Sequence, residues 1–212
     1  SVGSDGSMSE GYGYGLSYVT TTLLLTKRTI DSVNDPQWSS YGCFTNMSIW
    51  AAMCFQPNSN VVNSFDWYNG QRGYGVDSMS NVIARVAAVS DDSTARWLVN
   101  NIYTNIPNTA FGMLCLTGGS TLLSAPPLYK TFTLSPMFIW RSSWTNQRSS
   151  GVWIRGGHSE DYHSHSDRGH LNVVFDGQPI LIEAGTLGAA ERSYYTSVKG
   201  HNVLQVGTNL QN

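Results

Sequence analysis

The chain has 212 residues, a formal net charge of −2 and only 12% charged side chains, about half the usual share. It lacks the basic excess that nucleic acid would call for, and no apolar run approaches the length of a membrane span. Ser, Thr, Asn and Gly are abundant and aromatics make up 12%, a surface suited to a secreted, extracellular or periplasmic protein that meets sugars through hydroxyls and ring faces.

In chain order, the tract Gly11-Tyr12-Gly13-Tyr14-Gly15 has the glycines but not the context of a phosphate loop. Val19 to Thr22 is β-branched and favours strand, but the Leu23-Leu24-Leu25 that follows suits a buried helix, so the segment is read as helical. Ile49 to Phe55, Asn81 to Val89 and Thr94 to Tyr103 have helical apolar spacing, with Asp91, Asp92 or Ser93 available as an N-cap. The character changes near Pro126-Pro127. Beyond it, Thr131 to Trp140, Gly151 to Arg155, Leu171 to Phe175 and Ile180 to Glu183 read as strands, and Asp176-Gly177 is the turn of a hairpin. A last apolar stretch runs from Val203 to Val206. Cys43, Cys54 and Cys115 leave one thiol over in any disulfide scheme and match no zinc spacing. A Cys43–Cys54 bridge and buried free thiols stand as alternatives.

All five histidines lie between His158 and His201. In an extended strand alternate side chains share a face, so His163, His165 and Asp167 of the run His163-Ser-His165-Ser-Asp167 project together. That grouping suits metal binding or proton transfer. The second strand of the hairpin delivers Glu183, and the chain returns through Tyr194 and Tyr195 to His201-Asn202. His165, Glu183 and His201 form a set of two nitrogens and one oxygen that zinc or manganese tolerates. His163 is left for proton transfer.

The same residues resemble, in order and spacing, the β-sandwich portion of heparinase II/III-like polysaccharide lyases, a group that includes alginate and glycosaminoglycan lyases. The residues are His163-Ser-His165-Ser-Asp167, Ile182-Glu183-Ala184-Gly185, Tyr194 or Tyr195, and His201-Asn202. At the other end, Asp5-Gly6-Ser7 and Glu10-Gly11 before Tyr14 resemble the family segment that precedes a catalytic tyrosine. Arg141-Ser-Ser-Trp144 looks like early sandwich strands, while Phe65-Asp66 and Asp91-Asp92 through Trp97 look like late helical hairpins. Glu183 stands where many relatives have aspartate. Tyr12 and Gly15 replace a flanking proline and tryptophan, which leaves Tyr12 and Tyr18 as alternative phenols.

The resemblance implies an α+β, multidomain architecture. Residues 1–126 would be the closing helices of an incomplete α/α toroid and residues 127–212 the first part of an antiparallel β-sandwich, with a substrate cleft between them. The chain is expected to be an internal piece of a larger protein whose remaining segments complete both layers. The implied activity is β-elimination of a uronic-acid-containing polysaccharide, with Tyr14 as acid and His163 as alternate base. A structural divalent metal, zinc before others, would sit on His165, Glu183 and His201. Glu10, Arg141, Asp167 and Asn202 would bind substrate or support the imidazoles, and no organic cofactor is expected. With only Arg141, Arg148, Arg155 and Arg168 near the histidines, alginate-like or lightly sulfated uronates are preferred over heavily sulfated ones. A uronyl C5-epimerase of the same fold, and a carbohydrate-binding or structural relative without catalysis, are the alternatives.

Overall fold

The structure is a computed structural model that describes residues 2–15, 19–36, 41–57, 83–87, 89, 92–102, 123–157, 165–183 and 191–207. His158, His163, Phe65-Asp66, Asp91, Cys115 and Tyr18 lie outside the described residues.

The first half is helical. A short helix α1 (Gly11–Tyr14) leads to α2 (Thr20–Ser32), α3 (Gly42–Met53) and α4 (Ser93–Asn101), with further helical residues at 83–87. The β-branched start of α2 is helical, with Leu24 buried and Leu23 resting against the core, while Leu25 faces outward. Helix α3 buries Cys43, Phe44, Met47, Trp50, Ala51, Ala52 and Met53. Apolar side chains on every face mark a helix at the centre of its layer rather than on a surface. Of the candidate caps for α4, Asp92 is the one used. Its Oδ1 accepts hydrogen bonds from the Thr94 and Ala95 amides at 2.7 and 3.1 Å, and Ser48 of α3 bonds its other oxygen.

The second half is one antiparallel sheet of five strands in the order β1 (Tyr129–Phe132), β2 (Met137–Arg141), β3 (Gly151–Arg155), β4 (Leu171–Phe175) and β5 (Gln178–Leu181). The span Thr131 to Trp140, expected as a single strand, is two. Pro136 cannot donate to a ladder, and Asp5 Oδ2 takes the Thr133 amide at 2.6 Å, so the chain turns between Phe132 and Met137. The β4–β5 hairpin closes as expected, with Asp176 and Gly177 at φ of 50° and 75°, the left-handed pair that a two-residue turn of this kind needs. Arg148 pairs with Asp176 across the surface. Strand β5 carries Pro179 and is an edge strand, the position where proline is tolerated. Residues 203–206 are not a strand, and Leu204 and Val206 are exposed.

One face of the sheet meets the helices. Phe132, Met137, Ile139, Trp153 and Val174 join Met8, Met47, Trp50, Met53 and Phe55 in a single core, each large side chain contributing roughly 1.5–3 kcal/mol by burial. Two polar contacts fix the joint. Trp153 Nε1 donates to the Met53 carbonyl at 2.8 Å, and Arg141, stacked over the Trp144 ring at 3.7 Å, reaches the Phe55 carbonyl. The opposite face is also apolar: Tyr129, Trp140, Val152, Val173 and Leu181 align across the strands, and Phe138, Trp140 and Ile154 are each more than a third exposed. Cys43 and Cys54 are free thiols. They sit at opposite ends of α3, about 16 Å apart at 1.5 Å per residue, too far for the bridge left open by the sequence.

Candidate functional site

The site forms where β3, β4 and the return segment converge. The Asp167 carbonyl accepts the His170 amide at 2.8 Å, closing a turn whose third residue, Gly169, has a φ of 86° that a side chain would resist. This turn lays His170 back on β3, where the Arg155 amide donates to the His170 carbonyl and the Gly169 amide to that of Arg155. His170, Asn172 and Val174 then alternate onto the buried face of β4. After β5, the Glu183 amide donates to Asn172 Oδ1 at 3.2 Å, which turns Glu183 inward. The short helix α5 (Arg192–Tyr195) and a 3-10 turn (Val198–Gly200) bring His201 to the same place.

His165, Glu183 and His201 meet there, each offering a ligand atom within 4.8 Å of the others. Glu183 Oε1 lies 3.4 Å from His165 Nδ1 and 3.8 Å from His201 Nδ1, and all three side chains are at most 1% exposed. The His165 and His201 rings stand 5.4 Å apart, with the buried Tyr195 ring 5.6 Å from His165. Neither ring nitrogen of His201 has a close hydrogen-bond partner among the described residues. Burial, with His170, His165 and Arg155 nearby, pushes its pKa down to about 3. It is therefore a neutral imidazole with a lone pair turned into a closed, polar site. Such a donor set fits a divalent ion of the zinc type better than calcium or magnesium, which prefer oxygen ligands.

Asp167 is fully buried and forms an ion pair with Arg155 at 3.1 Å. Burial raises its carboxyl to about 6 despite the favourable Arg155 charge. Its oxygens make no hydrogen bond to an imidazole among the described residues, so its nearest partner is the guanidinium. Asn202 meets an imidazole through its backbone, that of His170. Its backbone N–H donates to His170 Nδ1 at 3.4 Å, while its amide pairs with both backbone groups of Leu171 at 2.8 Å. Arg141 is 4% exposed and belongs to the helix–sheet joint. Tyr14 ends α1 and is 45% exposed, and Glu10 is half-buried just before that helix.

The sequence reading passed over His170 and Asn172, named Arg155 only among the arginines near the histidines, and gave Tyr194 or Tyr195 only as part of the family resemblance. Continuing the alternation backward from Val174 would have placed Asn172 and His170 on the core face. What the sequence did not show for Arg155 and Tyr195 is their contact, with Asp167 and with His165 respectively.

No family model and no curated protein matches the chain. Solved structures do. The heparan sulfate lyase HepC from Pedobacter heparinus superposes with a TM-score of 0.67 at 18% identity, over 94% of this chain and 30% of that one. Heparinase III gives 0.61 at 16% identity, over 92% and 31%, and the Heparinase III-BT4657 gene product 0.61 at 17% identity, over 95% and 30%. The chain thus has the mixed helical and antiparallel fold of one segment of these lyase structures, and spans about three tenths of their length.

Proposed function

We propose that this chain is part of a polysaccharide lyase that cleaves a uronic-acid-containing polysaccharide by β-elimination. The observation that carries this reading is the buried meeting of His165, Glu183 and His201, on a fold shared with heparan sulfate lyases. In this reading the helices are the closing part of an α/α toroid and the sheet is one layer of a β-sandwich.

A uronic acid loses its C5 proton only when its carboxylate is neutralised, so that negative charge can spread toward the carboxyl oxygens. A base removes that proton, the C4–O4 bond breaks, and an acid protonates O4, leaving a C4–C5 double bond without consuming water. Tyr14 is assigned as the acid. Its side chain is 45% exposed, so a polymer can reach it, and a phenol can donate its hydroxyl proton. His163, two residues before a buried ligand, is the alternate base. His165, Glu183 and His201 would hold a divalent ion, which when bound supplies fixed positive charge and ties three chain segments together. The side chains around it are buried, which suits support of the adjacent His163 rather than contact with the polymer.

The test is turnover of uronate polysaccharides by the intact protein, followed by the ultraviolet absorbance of the unsaturated product. Absorbance growth supports elimination. Solvent-deuterium incorporation at C5 without absorbance would instead identify a C5-epimerase, and binding with neither signal a non-catalytic relative.

A further inference from the structure

We infer that His170 is a positioning residue for the His165–Glu183–His201 site, joining the two chain segments that carry Glu183 and His201 without itself being a ligand; this rests on the metal reading above. His170 is fully buried, and its ring stands edge-on to His201 at 5.4 Å between centroids, with 81° between planes. A ring in that place looks at first like a fourth ligand. Its hydrogen bonding argues otherwise. The Asn202 backbone N–H donates to Nδ1, so the neutral imidazole carries its proton on Nε2. One nitrogen is occupied by an N–H donor and the other by a proton, and neither has a lone pair to give an ion.

What His170 does have is a second neighbour. Asn172 follows two residues along, on the same buried side of the β4 segment. Asn172 Oδ1 in turn accepts the amide of Glu183. The connection therefore runs from the backbone of Asn202, next to one ligand, through the His170 ring and the strand backbone to Asn172, and from Asn172 Oδ1 to the backbone of Glu183, another ligand. With Asn172 2% exposed, no polymer reaches this relay. Its effect is to hold the carboxylate and the His201 ring at a set separation before an ion arrives, which raises affinity by removing part of the ordering cost.

In the full-length protein, zinc affinity would be measured by chelator competition and site geometry by the visible absorption of the cobalt(II)-loaded form. His170→Phe keeps the volume but loses the acceptor, and should weaken zinc about 10- to 100-fold, as outer partners of metal ligands do, and alter the cobalt spectrum. His170→Gln, whose carbonyl can accept the Asn202 N–H, should recover most of the affinity and the parent spectrum. Should His170→Phe not fold, Asn172→Ala, which removes the other half of the relay, decides through the same readings. Zinc affinity within about twofold of the parent, where loss of about 10-fold or more is expected, together with an unchanged cobalt spectrum, would overturn the inference while leaving the metal site standing. A parent protein that takes up neither ion overturns both.

Discussion

Asp5 ties the N-terminal loop to the turn between the first two strands of the sheet, and its removal has a calculable cost. Its Oδ1 accepts from the Ser7 amide and hydroxyl at 3.0 and 2.6 Å, its Oδ2 from the Thr133 amide and hydroxyl at 2.6 and 2.9 Å. The Ser7 bonds are local and survive partly in an unfolded chain. Those to Thr133 span 128 residues and exist only when folded. Hydrogen bonds to a charged acceptor contribute about 1.5–3 kcal/mol each when buried; these are solvated, so screening brings the pair to roughly 1.5–2 kcal/mol. Asp5→Ala should therefore lose about that much in urea unfolding of the intact protein followed by tryptophan emission.

The loss should also depend on pH. Burial alone would raise the Asp5 carboxyl, but its hydrogen bonds with Ser7 and Thr133 prevail and hold it below its ordinary 3.8. A group whose folded pKa is depressed stabilises above its unfolded pKa and ceases to do so as pH falls through the folded value. The difference between parent and Asp5→Ala should be full at pH 6 and should shrink as the solution is acidified below 3.8. A deficit of the same size at acidic and neutral pH would mean the carboxylate charge is not what holds Thr133. A coupling near zero in the Asp5→Ala/Thr133→Val cycle would refute the clasp itself.

Other substitutions give separate tests in the intact protein. His201→Ala should lower metal content, read by elemental analysis, and thermal midpoint together; unchanged metal at saturating zinc would remove His201 from the ligand set. Tyr14→Phe should abolish elimination while shifting stability by no more than about 0.5 kcal/mol, since the ring is exposed. Turnover within a few-fold of the parent would exclude this tyrosine as the acid. Burial raises the Cys43 thiol to about 11 and Cys54 well above its ordinary value. At pH 8 both should resist alkylation until α3 unfolds, as peptide mass spectrometry would show, and labelling of either in the native protein would contradict their packing.

That His165, Glu183 and His201 come together was legible only in part: the hairpin at Asp176-Gly177 brings Glu183 back and the return carries His201, but residues 165–170 form a turn rather than the extended strand expected from the alternation of His163, His165 and Asp167. The helical start of α2 was legible too, once Leu23 to Leu25 were weighed against the β-branched threonines. What escaped depended on distant partners. The turn inside Thr131 to Trp140 is stabilised by Asp5 from the opposite end of the chain. Arg141 looks like a ligand for anions in sequence, while in space it stacks on the Trp144 ring and reaches the Phe55 carbonyl. The apolar run at 203–206 has the composition of a strand, but Asn202 has already taken the Leu171 backbone groups beside which it would begin.

That last arrangement bears on self-association. Past the end of β5, the N–H and C=O of Leu171 would form a short open edge, the kind of site at which a strand from another molecule adds to a sheet. The Asn202 amide presents one donor and one acceptor in the same order as a peptide unit, and fills both. A single side chain thus ends the ladder and leaves an incoming strand nothing to pair with at that position. Asn202→Leu would reopen the edge, so faster fibril nucleation under mildly denaturing conditions should accompany any loss of metal binding.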